Sequence, residues 1–134
     1  MPGSVLDSFA LIAYFRDEAG ADKVEALLHK AADAREPLHM SEVNYAEVQY
    51  IITRRNGSPA WEAVAGRLVA LPIKFHPATR ELADLAARFK ASHPISLADA
   101  FAAALAKAKE AELVTGDREF KTVEKDLKKI RWLK

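Results

Sequence analysis

Residues 4–9 read SVLDSF and residues 112–117 read ELVTGD, and these two stretches decide the fold. Each is a short apolar run, as expected of a buried strand, and each is followed closely by an aspartate. Asp7 stands where a helix can begin, and Asp117 stands at the end of the second run. Ligands bind beyond the carboxyl ends of the strands in open parallel sheets. If the two strands are neighbours, Asp7 and Asp117 therefore point into one crevice.

The rest of the chain alternates between short apolar runs and helical repeats. Strands are predicted at residues 4–6, 37–40, 71–75 and 112–115, with a last edge strand near 130–133. Helices are predicted between them at residues 9–16, 22–35, 42–55, 79–91 and 97–111, with a further helix from Pro59 that Ser58 caps. This alternation predicts an α/β fold, a three-layer α/β/α sandwich around a mostly parallel central sheet.

Length and composition limit what the protein can be. With 134 residues, the chain is expected to form a single domain, residues 1–134. The formal net charge is only +1, so binding of nucleic acid must depend on a local arrangement of charges. The lack of cysteine excludes disulfides, thiolate zinc sites and cysteine nucleophiles. Without an export signal or an apolar stretch of about 20 residues, we expect a cytoplasmic protein with no membrane segment.

Two further acids lie on predicted helices. Glu47 has apolar neighbours at helical spacing, and a carboxylate in such a stripe is costly to bury unless it is paired or bound to a cation. Asp99 opens the alanine-rich helix that Ser96 caps, so we expect it at the buried end of a core helix. The alternative explanations are a rim position or a salt bridge for Glu47, and simple capping or turn roles for the three aspartates.

Taken together, these four acids predict a metal site. Like-charged carboxylates in one crevice raise each other's pKa unless a cation neutralises them. Hard divalent cations such as Mg2+ and Mn2+ prefer oxygen ligands. A cation of this kind polarises a phosphodiester and helps to ionise the attacking water. The chemistry that the residues predict is therefore phosphodiester hydrolysis.

Four segments of the chain, in this order, resemble the PIN domain, and more narrowly the VapC-type toxins of toxin–antitoxin pairs. They are VLDS at residues 5–8, SEVNYAEV at 41–48, SLADA at 96–100 and LVTGDREF at 113–120. The similarity runs over nearly the whole chain, and the order of the segments is more specific than any one of them.

The resemblance implies a Mg2+- or Mn2+-dependent endoribonuclease on an α/β/α sandwich. The family's acidic quartet and its two polar helpers are matched by Asp7, Glu47, Asp99, Asp117, Ser8 and Thr115. It also implies an RNA substrate, a cognate antitoxin protein as partner, and a homodimer. One position departs from the family, because Glu119 stands where many relatives carry a second aspartate. Its longer arm is expected to reach the metal through water or not at all.

Other side chains near the acids are weaker candidates. Asn44, one turn before Glu47, can hydrogen-bond the substrate or a water at the metal, or it can be structural. Arg118, directly beside Asp117, is the best placed of several basic residues for holding a phosphate. A pair at residues 54–55 is among the others. Ser8 and Thr115 also have ordinary interpretations, as a helix cap and a strand residue. The four histidines show no ligand spacing and are assigned no catalytic role.

Three other functions compete with the ribonuclease. A PIN-like module can bind RNA or protein without cutting, and the acids alone do not exclude a structure-specific DNA nuclease. A phosphoryl-transfer domain expects an acidic pair or an Asp-x-Asp motif after the first strand, which residues 7–9 lack. The apolar helix faces at residues 9–15 and 43–52 are candidate docking surfaces for an antitoxin, provided that their side chains are not internal.

Overall fold

Five parallel strands form the central sheet of the computed structural model, which describes residues 3–134. The strands are β1 (Ser4–Leu6), β2 (Leu38–Ser41), β3 (Ile73–His76), β4 (Glu112–Thr115) and β5 (Ile130–Trp132). Their order across the sheet is β3-β2-β1-β4-β5. Every neighbouring pair is parallel. The predicted α/β/α fold is confirmed, with a sheet that is wholly rather than mostly parallel.

Helices cover both faces of this sheet. They are α1 (Ser8–Arg16), α2 (Ala21–Ala34), α3 (Glu42–Asn56), α4 (Ser58–Leu68), α5 (Arg80–Ser92) and α6 (Leu97–Lys109), followed by a 3-10 helix (Arg118–Asp126). Successive strand side chains point to opposite faces. Val5 and Leu113 therefore pack with α5, α6 and the 3-10 helix, whereas Leu6 and Val114 pack with α1 to α4. All four side chains are fully buried, as expected of strands covered on both faces.

The strand order places a topological switch point beside β1. From β1 the chain adds β2 and β3 on one side, then returns to add β4 and β5 on the other. The helices that follow β1 and β4 therefore leave the sheet in opposite directions, which opens a crevice at the carboxyl ends of these two strands. The sequence placed Asp7 and Asp117 at those ends, and the pairing of β1 with β4 makes them neighbours.

Side-chain caps hold the helices that begin at this edge of the sheet. Asp7 accepts a hydrogen bond from the backbone N–H of Ala10 at 2.9 Å, in the first turn of α1. Ser41, Ser96 and Asp117 cap α3, α6 and the 3-10 helix in the same way. The capping role considered for the aspartates is therefore present in two of them. It occupies only one carboxylate oxygen, so it does not exclude a second role.

Several element boundaries differ from the sequence prediction for local reasons. β3 begins after Pro72, which has no N–H to donate to a neighbouring strand. Gly57 rather than Ser58 is the N-cap of α4. α1 ends after Arg16, as predicted, and its C-cap Asp17 has a left-handed backbone (φ 53°) that lets its N–H reach the last carbonyls of the helix. Within residues 3–134, no helix combines the length and apolar character that a membrane span requires.

The two helix faces considered as docking surfaces belong largely to the core. Leu11 and Ile12 of α1 are buried, as are Val48 and Ile52 of α3. Tyr14 and Phe15, which are partly exposed, lie under the guanidinium of Arg67, at 5.6 Å from the Tyr14 ring and 4.9 Å from the Phe15 ring. The apolar excess of α1 is thus mostly explained by its contacts with the sheet, α2 and α3.

Candidate active site

A cleft of about 350 Å3 opens at the carboxyl ends of β1 and β4. Six of the side chains that line it are acidic: Asp7, Glu18, Glu47, Asp99, Asp117 and Glu119. The four acids that the sequence predicted to converge therefore lie in one cleft, contributed by four different elements. Like charges at this density are unfavourable unless protons or a cation neutralise them.

Asp7 is the most deeply buried of these acids, with 1% of its surface exposed. Its Oδ1 accepts the capping hydrogen bond from Ala10, and its Oδ2 accepts one from the Thr115 hydroxyl at 2.5 Å. Burial raises the pKa of Asp7 to about 8 despite these two hydrogen bonds, and repulsion from Asp99 and Asp117 adds to the rise. Without a cation, Asp7 therefore holds a proton at neutral pH.

Thr115 connects two of the acids from below the cleft. Its hydroxyl donates to Asp7 and accepts a hydrogen bond from the backbone N–H of Asp117 at 3.0 Å. Thr115 is fully buried and does not line the cleft, so its place is that of a positioning residue. Ser8 does line the cleft, and its hydroxyl donates to Oε1 of Glu47 at 2.5 Å.

Three carboxylates form a group with the spacing of metal ligands. One oxygen atom from each of Asp99, Asp117 and Glu119 lies within 4.8 Å of the others. Burial, together with the charges of Asp117 and Glu47, raises the pKa of Asp99 to about 6. An all-oxygen set of this kind fits a hard divalent cation. Glu119, expected at most to act through water, is part of the tightest group.

Asn44 lies beneath the cleft and not in it. The side chain is fully buried, and its Nδ2 donates to the carbonyl of Ala98 at 3.0 Å. Its Oδ1 has no hydrogen-bond partner within residues 3–134. Asn44 thus ties α3 to the first turn of α6, directly before Asp99. Of the two roles considered from the sequence, the geometry favours the structural one.

Arg118, which the sequence analysis considered for holding a phosphate, is not among the side chains that line the cleft. Its guanidinium donates to the carbonyl of Lys134 at 2.7 Å and lies 4.8 Å from the centre of the Trp132 ring. Consecutive side chains diverge, so adjacency to Asp117 does not bring Arg118 to the acids. The basic residue that does line the cleft is Arg55, near the end of α3. The signal for it is its position on α3, eight residues after Glu47.

A second cleft, of about 360 Å3, lies at the opposite edge of the sheet. Its acid Glu112 accepts hydrogen bonds from Ser4 at 2.6 Å and from Arg131 at 2.9 Å. Burial acts to raise the pKa of Glu112, but these hydrogen bonds outweigh it and the pKa is lowered. This acid is already neutralised by its neighbours, so the cleft beside β1 and β4 is the better candidate for cation chemistry.

Solved structures of similar fold come from toxin–antitoxin systems. They include VapBC2 from Rickettsia felis bound to a promoter DNA fragment, with a TM-score of 0.77, 16% identity and coverage of 96% of this chain and 98% of that one. DNA-bound VapBC from Salmonella typhimurium has a TM-score of 0.75 and 14% identity, with both chains covered completely. The sarcin–ricin loop cleaving toxin VapC20 from Mycobacterium tuberculosis has a TM-score of 0.70 and 18% identity, covering 89% and 93%.

These low identities establish a shared fold. In a separate comparison with curated proteins, none matched the chain. The family model for the PIN domain, in contrast, matches residues 4–126, which include all of the acids in the cleft. With the strand order, the acidic cleft and this match in agreement, the chain belongs to the PIN domain family.

Proposed function

We propose that this protein is an endoribonuclease that depends on Mg2+ or Mn2+ and acts as the toxin of a toxin–antitoxin pair. The observation that carries the proposal is the convergence of six carboxylates in one cleft at the switch point of a PIN fold. Members of this family are typically metal-dependent nucleases, and the donor set contains only oxygen.

Asp99, Asp117 and Glu119 would hold the cation, with Asp7 and Glu47 completing the site. A hard cation bound there would polarise the phosphodiester, help to ionise the attacking water and stabilise the leaving oxygen. Asp7 and Asp99 would both have to be ionised in order to bind a cation, so a cation would displace the proton that Asp7, with its pKa of about 8, holds at neutral pH. The hydrogen bond from Ser8 would hold the Glu47 carboxylate toward the cleft. The two hydrogen bonds of Thr115 would hold Asp7 and the backbone of Asp117 in fixed positions relative to each other.

The choice of RNA and the toxin role rest on the structural relatives. One is described as a toxin that cleaves the sarcin–ricin loop, another as a toxin–antitoxin complex, and a third as a member of the VapBC family of toxin–antitoxin systems. The proposal therefore includes an RNA substrate, a cognate antitoxin and a homodimer. The partly exposed Tyr14 and Phe15 on α1 leave apolar surface for such a partner.

The test is cleavage of labelled structured RNAs and single-stranded DNA in Mg2+, in Mn2+ and in EDTA. Asp99→Asn and Asp117→Asn are the inactivating variants, because each keeps the shape of the side chain and removes one negative charge. Glu62→Gln is the matched control, since Glu62 is an exposed acid on α4 that does not line the cleft.

We expect metal-dependent cleavage of RNA by the wild type and by Glu62→Gln, and a loss of at least about 100-fold in the two aspartate variants. Cleavage of DNA alone would favour a structure-specific DNA nuclease. Binding of RNA without cleavage in either metal would favour a non-catalytic RNA-binding module. Equal activity in all variants would contradict the assignment of the acids.

A further inference from the structure

Arg55 is the one basic side chain among the residues that line the acidic cleft, within residues 3–134. It lies in the last turn of α3, where the helix dipole favours a positive charge. Ile51 and Arg55 follow Glu47 by four and eight residues on this helix, and all three line the cleft. The guanidinium is exposed, and no ion pair in the described part of the chain involves it.

The neighbouring arginine offers a sharp contrast. Arg54 lies over the ring of Tyr50 at 5.4 Å and does not line the cleft. Two arginines that are adjacent in sequence thus have the same charge and nearly the same height on α3, but face different surroundings. The pair separates the effect of a positive charge anywhere on α3 from the effect of one at the cleft.

The negative charge of the cleft would repel an RNA strand, and Arg55 can offset part of that repulsion. An entering phosphodiester meets six carboxylates, and one divalent cation neutralises only part of that charge. A guanidinium binds phosphate oxygens through two parallel hydrogen bonds, which a solvated ammonium does less well. A cation on the wall of the cleft therefore gives the strand a second anchoring point beside the acids.

The spacing along α3 defines what fits between the two points. Eight residues of helix span about 12 Å, and helical side chains lean toward the amino-terminal end, so Arg55 leans back toward Glu47. Ile51 lies between them and is partly exposed to the cleft. The wall therefore presents an acid, an apolar contact and a cationic side chain in that order; with a metal ion held beside Glu47, it would bind a phosphate, contact a nucleoside and bind the next phosphate.

We infer that Ile51 and Arg55 form a nucleotide subsite: Arg55 binds the phosphate next to the scissile one, and Ile51 contacts the nucleoside between them. This inference rests on the proposed function and adds the side from which the RNA strand enters. The strand crosses the cleft along the wall made by α3, toward the carboxyl-terminal end of that helix.

The experiment measures binding of a fluorescein-labelled single-stranded RNA of random sequence by fluorescence anisotropy, over a series of KCl concentrations in Mn2+. Every protein carries Asp99→Asn, so that the RNA is bound but not cut. Arg55→Ala, Arg55→Lys and Ile51→Ala are compared with the matched control Arg54→Ala. Thermal unfolding of each variant checks that the fold is retained.

We expect Arg55→Ala to weaken binding about tenfold and to reduce the slope of log affinity against log salt by about 0.7, the value for one phosphate contact on a single strand. Arg55→Lys keeps the slope and regains part of the affinity. Ile51→Ala weakens binding without a change of slope, because it removes no charge. Arg54→Ala leaves both quantities unchanged.

The subsite is wrong if Arg55→Ala and Arg54→Ala bind alike, or if Arg55→Ala weakens binding without a change of slope. A wild type that cuts RNA, together with arginine variants that bind alike, would overturn the subsite and leave the ribonuclease intact. A wild type that neither cuts nor binds RNA would overturn both.

Discussion

Asp7 illustrates how one carboxylate serves both the fold and the site. One oxygen caps α1, the other is held by Thr115, and burial raises its pKa to about 8. Without a cation, the protonated form of Asp7 is the stable one in the folded protein. With a cation in the cleft, the ionised form is the one that can bind it. The proton on Asp7 is therefore in competition with the metal that we propose for the cleft.

We expect the affinity for Mn2+ to rise as the pH is raised from 6 to 8. Asp99, with a pKa of about 6, and Asp7, with a pKa of about 8, must both lose their protons before they bind a cation. Isothermal titration calorimetry in two buffers of different ionisation enthalpy measures the affinity and the protons released. Asp7→Asn should remove the proton release above pH 7. An affinity that is independent of pH would contradict this account.

Replacing Thr115 by valine should damage the site while keeping the shape of the side chain. The substitution leaves Asp7 Oδ2 and the N–H of Asp117 without their partner, both next to the cleft. Leaving such buried groups unpaired costs about 1–3 kcal/mol, which urea unfolding measures. The affinity for Mn2+ should fall as well. Thr115→Ser keeps the hydroxyl and serves as the control, so equal losses in the two variants would count against a role for the hydrogen bonds.

At the scale of residues, the sequence predicted the acids better than the base. Asp7 and Asp117 follow apolar strands, and the pairing of those strands brings the two side chains together. Arg118 does not line the cleft, because its contacts are with Trp132 and the carbonyl of Lys134, which no local pattern in the sequence reveals. Arg55 was only one of many basic candidates in the sequence, because whether it lines the cleft depends on which face of α3 meets the cleft.

At the scale of elements, α1 is held against the turn after β4 by a close contact between Phe9 and Gly116. A Cβ atom on Gly116 would overlap the Phe9 ring. Phe9 lines the cleft next to Asp7, so this contact sets the distance between the start of α1 and the end of β4. The glycine that precedes Asp117 is thus required by packing, since its backbone has no positive φ.

Gly116→Ala should therefore destabilise the protein by about 1–3 kcal/mol, as expected for overpacking, and disturb metal binding through Phe9. Gly66→Ala is the matched control, because Gly66 lies exposed inside α4 with nothing within 4 Å of an added Cβ. In that position alanine should stabilise by about 0.5–1 kcal/mol. Urea unfolding of both variants gives the comparison, and equal effects of the same sign would refute it.

The order of elements along the chain was predictable, whereas their register was not. The alternation of strands and helices follows from composition and periodicity, and the structure shows the same succession. The histidines, by contrast, show no regular spacing along the sequence. The register of β2 with β3 pairs Ser41 with His76, and it brings His39 Nδ1 to 2.8 Å from His76 Nε2. Such pairings depend on strand alignment, which a single sequence leaves undetermined.

At the scale of the whole molecule, two buried aspartates and two partly buried histidines set how stability depends on pH. Burial and mutual repulsion raise the pKa of Asp7 and Asp99, so these groups stabilise the metal-free protein at low pH and lose that effect as the pH rises. Burial and nearby lysines lower the pKa of His39 to about 4, and burial likewise lowers the pKa of His76, so these groups act in the opposite direction. Between pH 4 and 6.5 the two effects oppose each other.

Above about pH 7.5, one unit above the ordinary pKa of histidine, His39 and His76 are neutral in both the folded and the unfolded state, and the effect of Asp7 remains. We expect the metal-free protein to lose stability from pH 7.5 to 8.5, by at most about 1.4 kcal/mol per pH unit, the value for one proton. Urea unfolding in EDTA across this range measures the slope. The Asp7→Asn variant should show a flat profile. A wild-type protein that is equally stable at pH 7.5 and 8.5 would mean that Asp7 is ionised without a cation.

The sheet has one further consequence, which concerns the synthesis of the protein. β1 is made first but lies in the middle of the sheet, and its partner β4 begins only at residue 112. A chain still growing on the ribosome can pair β1, β2 and β3, yet it lacks Thr115, Asp117 and Glu119 until residues 115–119 have emerged. If the protein cuts RNA, as we propose, a growing chain would therefore leave its own messenger RNA intact until β4 and the residues that follow it have been made.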